Sequence, residues 1–287
     1  MGETESRRDA VRDDFVTSDP WRALRRFTAA RIALGRAGHA LPTRELLDFQ
    51  LAHARARDAV HLPFEAEALG DELRRDGFDV LCVDSAAGTR EVYLRRPDLG
   101  RRLDPASRKL LEGRASPGGC DAAFVLADGL SPLAVHRNAG ALLRAAAGRL
   151  SGLGWRIAPV VVARQGRVAL GDEIGALLRS ELVAVLFGER PGLSAADSLG
   201  IYLTYGPRPG RTDAERNCIS NVRPEGLGYE EAADALVYLM TEARRRRLTG
   251  IALKDERLQG PALSEERTAR SSSAGKTPVQ RGALRDR

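Results

Sequence analysis

Three apolar runs do most to decide what this chain can become. DAAFVLADG at 121–129, IAPVVVAR at 157–164 and LVAVLFGERPG at 182–192 are nearly continuous in aliphatic and aromatic residues. Short runs of that kind, closed by Gly, Pro or Asp, read as strands buried on both faces. Between them lie PLAVHRNAGALLRAAAGRL and DEIGALLRS, whose apolar residues recur at helical spacing. Alternating strands and helices of this character predict an α/β fold: a Rossmann-like, mostly parallel sheet with helices on both faces.

The flanks extend this pattern. FDVLCVD and REVYLRR read as a short hairpin pair, GIYLTYGPRPG as a fourth strand, and YEEAADALVYLMTEARRRR as a last helix. Ahead of the sheet the pattern is helical. A first helix is expected from SDPWRALRRFTAARIALGRAG, with Asp19 as cap and Pro20 in its first turn. A second is expected from LPTRELLDFQLAHARARDAVH, with Thr43 as cap, and a third over about 65–76, ending at Gly77. The expected organisation is a disordered N-terminus (1–18), an N-terminal helical region (19–77), a Rossmann-like domain (78–257) and a disordered basic tail (258–287).

Charge narrows the function classes. The chain of 287 residues carries a net +6, and of its 45 basic residues only Lys109, Lys254 and Lys276 are lysines. Residues 256–287 supply half of the excess, so the body is near balance. No basic helix interleaved with aromatics is present, which argues against nucleic acid as partner. No apolar run approaches the ~20 residues of a membrane span, and the charged start MGETESRRDAVRDD has no signal-peptide core. Three cysteines without CxxC spacing argue against a disulfide framework or a zinc site and for a reducing, intracellular setting. Cys82, in FDVLCVD, reads as a core residue, and Cys120 follows SPGG in a loop.

In an open α/β sheet a ligand sits at the carboxyl ends of the strands. Two such ends lead into Gly- and Pro-rich loops, GERPGLSAADSLG and YGPRPGRTDAERNCISNVRPEGLG. Cys218 lies in the second, in a stretch read as polar loop. No GxGxxG follows the first strand, SSSAGKT has Arg270 where a phosphate loop needs its first Gly, and neither GxSxG nor HExxH occurs. The four histidines lie in or beside expected helices. No catalytic constellation assembles; the chain reads as a binding domain for a large, irregular ligand.

Long strings carry a more specific signal. DPWRALRRFTAARIALGRAGHALPTRELLDFQLAHARARDAVH, GRVALGDEIG, GERPGLSAADSLGIYLTYGPRPGRTDAERNCISNVRPEGL and GIALKDE together resemble the light chain (small subunit) family of ethanolamine ammonia-lyase, over roughly 19–255. The resemblance implies a lyase that uses adenosylcobalamin (coenzyme B12) and radical chemistry to deaminate ethanolamine to acetaldehyde and ammonia. It implies a large (heavy) subunit holding the substrate, with cobalamin in the interface. The family's cobalamin contacts carry over onto Val168, Glu189 and Cys218. No catalytic side chain and no metal ligand is expected on this chain. DGLSPLAVH does not fit the DxHxxG pattern that places a His on cobalt. A large apolar surface toward the large subunit is expected. The expected location is a bacterial microcompartment where the organism builds one, otherwise the cytoplasm.

Overall fold

The apolar runs form adjacent strands at the centre of one six-stranded sheet. In this computed structural model, which describes residues 15–257, the strands are β1 (Val80–Asp84), β2 (Cys120–Ala127), β3 (Val160–Arg164), β4 (Ser180–Gly188), β5 (Leu199–Tyr205) and β6 (Asn217–Val222). Their spatial order is β1-β3-β2-β4-β5-β6. The first four are parallel, with Val125 beside Val161 and Val185. β5 runs antiparallel to β4, and β6 antiparallel to β5, with Val185 opposite Tyr202 and Tyr202 opposite Cys218. The expectation of a mostly parallel α/β sheet holds. The expectations for residues 1–14 and 258–287 lie outside the described residues.

Among the described residues seven α-helices accompany the sheet: α1 (Thr43–His61), α2 (Ala66–Arg75), α3 (Arg90–Arg95), α4 (Pro105–Glu112), α5 (Pro132–Gly152), α6 (Leu170–Leu177) and α7 (Tyr229–Arg246). Local chemistry sets their ends. Ser131 caps α5 by accepting from the Ala134 N–H at 3.2 Å, with Pro132 in the first turn, where a missing N–H costs nothing. Asp104 does the same for α4. Helix α7 opens on Glu230 and Glu231 and closes on Arg244–Arg246, matching its dipole.

Two apolar layers hold these parts. On the first face, Leu73, Leu142, Leu143, Leu236 and Met240 from α2, α5 and α7 pack on Phe124, Val162 and Ile201. On the second, Leu111, Leu170 and Ile174 from α4 and α6 pack on Val83, Val125, Val161 and Val185. Helix α4, in the β1–β2 connection, and α6, in the β3–β4 connection, thus share the second face, while α5, in the β2–β3 connection, takes the first. The connections leaving β2 and β3 diverge, which opens the ligand crevice of such sheets at their carboxyl ends.

Three local readings are corrected. REVYLR is helix α3 rather than a strand, because Thr89 caps it and Tyr93 is fully buried beneath Gly100. The helix expected from Asp19 is only the 3-10 turn Arg22–Phe27, in which nothing is buried. An isolated turn without a packing partner cannot offset the cost of nucleating a longer helix. Cys218 is not in a loop: Asn217–Val222 is an edge strand. Lys254–Arg287 forms a separate unit, described only through Arg257, which pairs with Asp255 at 2.7 Å.

Candidate functional site

Helix α7 covers β5 and β6 on the first face. Helix α6 covers β2 and β4 on the second. Among the described residues no helix covers β5 and β6 there, and Cys218 and Ser220 are exposed. The result is a flat, open shelf at the carboxyl end of β4.

Glu189 is built into this shelf. It leaves β4 just past Gly188, and its side chain lies over Gly200: a Cβ at that position would meet Glu189 Oε1 at 2.8 Å. Gly200 falls where the β5–β6 register shifts, between Leu199 and Ile201. The extra residue of that shift lies on β6, where Ser220 and Asn221 stand against Gly200 alone, and the missing side chain at Gly200 is what lets the carboxylate fold back onto the sheet. Ser220 Oγ donates to Oε1 at 2.5 Å, Ser198 Oγ donates to Oε2, and the Asn221 N–H donates to Oε2 at 3.3 Å. Asn221 stands at φ 61, a conformation Asn tolerates better than most residues. With three donors, the carboxylate retains acceptor capacity on Oε1.

Cys218 lies two residues before Ser220 on the same strand and on the same face. Its cross-strand partner is Tyr202, whose ring meets Phe187 edge-on at 5.9 Å. Burial by the surrounding chain pushes the Cys218 thiol up; the Tyr202 hydroxyl opposes this and the Glu189 charge adds to it. At neutral pH the free group is therefore a thiol, not a nucleophilic thiolate. Val168 sits in the turn between β3 and α6, half-buried against the layer that holds Phe187 and Tyr202. The three residues expected from the resemblance thus lie on one face of the sheet. Glu189 and Cys218 are close neighbours, and Val168 belongs to the turn that leads into α6.

A buried cluster fixes the turn that carries Val168. Asp128, fully buried at the end of β2, accepts from the Gly166 N–H at 3.0 Å and from Arg90 at 3.2 Å. The Tyr93 hydroxyl donates to the Gly166 carbonyl at 3.1 Å. Arg90 and Arg167 lie over the Tyr93 ring at 4.9 and 4.3 Å. Burial pushes the Asp128 carboxyl up to about 6, against the pull of Arg90. At the far end of the shelf, Arg216 forms a two-pronged ion pair with Asp172 of α6, at 2.7 and 2.6 Å, and also donates to Thr204 at 2.9 Å. Both side chains are 2% exposed. Burial pushes the Asp172 carboxyl up, and Arg216 pulls it back.

Sequence reasoning missed Gly200, Ser198, Ser220 and Tyr202. One signal was present: NCISNV alternates exposed Cys218 and Ser220 with inward Ile219, the period of a strand.

Comparison with known proteins places this site in a family. The description "Ethanolamine ammonia-lyase light chain (EutC)" matches residues 18–254. Proteins named ethanolamine ammonia-lyase small subunit are 60% identical in Azotobacter vinelandii, over 84% of this chain and 90% of theirs, and 58% identical in Ralstonia nicotianae, over the same shares. In Pseudomonas aeruginosa a protein of that name is 57% identical over 85% of this chain and 90% of its own length. The chain belongs to the ethanolamine ammonia-lyase light chain family. The matched span of this light chain takes in the whole shelf, from Val168 to Asn221. No helix among its described residues is long and apolar enough to cross a membrane.

Proposed function

We infer that this chain is the small subunit of an ethanolamine ammonia-lyase, active only in complex with a large subunit, and that its open shelf receives part of adenosylcobalamin at the interface between the two. The carrying observation is the Glu189 carboxylate folded into the notch over Gly200, on the uncovered face of a sheet. The fit is chemical. A corrin offers a broad apolar face rimmed by amide donors, and the shelf offers half-buried Tyr202 and Val168 beside a carboxylate with acceptor capacity to spare.

When bound, the cofactor supplies the radical chemistry that turns ethanolamine into acetaldehyde and ammonia. This chain's residues bind and orient. Glu189 accepts from a cofactor amide or hydroxyl in a charge-assisted bond. Val168 adds apolar contact from a turn that Asp128 and Tyr93 hold in place. Cys218, as a thiol, packs without competing for cobalt. No side chain here is assigned a catalytic role; ethanolamine is held mainly by the large subunit. An intracellular location follows, in a microcompartment where the organism builds one.

The test is co-expression with the large subunit and assay of adenosylcobalamin-dependent acetaldehyde release, with each chain alone as control. Activity is expected only from the pair. Glu189→Ala should raise the cofactor concentration for half-maximal activity by about tenfold or more, the size of one charge-assisted hydrogen bond. A pair that neither retains cobalamin nor releases acetaldehyde sinks this reading.

A further inference from the structure

Residues 15–62 are an arm that the rest of the chain leaves bare. Only Pro42 and Ala59 are buried along it. It holds 11 of the 15 large hydrophobic side chains that stand exposed among the described residues. Trp21 is 66% exposed, Phe27 73% and Leu47 57%, with Leu41 and Phe49 also open. That is far more apolar surface than a soluble monomer keeps in one region without a use for it. The arm nevertheless has a defined course. Thr17 and Arg36 exchange backbone hydrogen bonds at 2.8 and 2.9 Å, Arg25 pairs with Glu45 of α1 at 3.0 Å, and Arg31 lies 5.8 Å over the Phe49 ring. It is anchored to the α/β body where Arg90 donates to the Val60 carbonyl at 2.8 Å.

Two observations choose the occupant. Arg31 donates to the Leu193 carbonyl at 3.4 Å. Leu193 lies in the β4–β5 loop, whose other end supplies Ser198 to Glu189. The arm and the shelf therefore flank one loop, and a body seated on the shelf extends onto the arm. Charge points the same way. The arm carries eight arginines against four carboxylates. Two copies brought together through it would oppose cation to cation, whereas a surface mixing apolar and acidic groups would complement it.

We propose that residues 15–62 are a docking arm that grips the large subunit, on a surface continuous with the cofactor shelf but separable from it. This rests on the reading that the chain works with a large subunit. The arm holds the partner; the shelf holds the cofactor.

The experiment uses the full-length chain co-expressed with a tagged large subunit. Its readouts are the amount of this chain recovered on the tag and the cobalamin retained per complex. Phe27→Glu combined with Leu47→Glu alters two exposed side chains, so the isolated variant should keep the wild-type melting temperature. Recovery on the tag should fall at least tenfold. Leu153→Glu, equally exposed at the C-terminal end of α5 and outside the arm, should leave recovery unchanged. Glu189→Ala should lower cobalamin retention and leave recovery unchanged, which separates the two surfaces. Undiminished recovery of the double variant overturns the arm. So does a double variant that loses only self-association of the isolated chain, which would assign the arm to a second copy. A wild-type chain that is not recovered on the tagged large subunit at all overturns both the subunit reading and the arm.

Discussion

The two faces of the β5–β6 hairpin are made by opposite means. The face beneath α7 is apolar and dry: Leu199, Ile201 and Leu203 pack against Leu236, Leu239 and Met240. The other face carries Tyr202, Thr204, Cys218 and Ser220, and polar ties replace packing: Glu189 to Ser198 and Ser220, Arg216 to Asp172 and Thr204. The covered face is stabilised by area, the open one by particular hydrogen bonds. The difference teaches that one strand pair can be anchored on one side and left free for a ligand on the other, provided a few polar ties set its register.

The buried ion pair is the strongest test of that contrast. Arg216→Ala leaves Asp172 charged, buried and unpaired, so unfolding free energy should drop by about 3–5 kcal/mol. That is as much as Leu236→Ala should cost on the covered face. A drop below about 1 kcal/mol, measured by urea unfolding, would mean that the open face needs no such tie.

Asp128 sharpens the contrast through pH. Its carboxyl is raised to about 6 in the folded chain, from ~3.9 unfolded. The folded state thus binds more protons than the unfolded state between these values, and this group's contribution to stability falls as pH rises from 4 to 6. The loss is on the order of 2 kcal/mol. Asp128→Asn removes this dependence, so the stability of the native chain relative to the variant should be highest near pH 4 and lower at pH 7. A difference that stays flat across that range would show that Asp128 is ionised throughout. Arg90, Tyr93 and Arg167 are the groups facing it.

The smallest effect is the most discriminating. Cys218→Ala, on the open face, should change stability by less than about 0.5 kcal/mol, while weakening cobalamin retention by the complex. A large loss of stability with retention intact would make Cys218 a packing residue like those beneath α7.

The covered half was readable in the sequence because its signal is redundant. Every residue of β2 is buried, and β4 carries a run of apolar residues just as long. The shelf was not readable from spacing. Val168, Glu189 and Cys218 came from resemblance to a family, since a carboxylate, a thiol and a methyl group at those intervals form no motif. Gly200, Ser198 and Ser220 act on Glu189 only through the β4–β5 turn and the β5–β6 pairing. α3 was misread for a related reason. REVYLR alternates like a strand, but Tyr93 is fixed by Gly166 and Arg167, both distant in sequence. Tertiary contacts overrode a six-residue preference.

The register shift between Leu199 and Ile201 also makes the shelf a matter of counting. Removing or adding a single residue within β5 would rotate every later side chain by half a period, sending Ile201 outward and Tyr202 under α7. Differences in length between light chains should therefore collect in the 206–216 connection and spare the strands on either side of it.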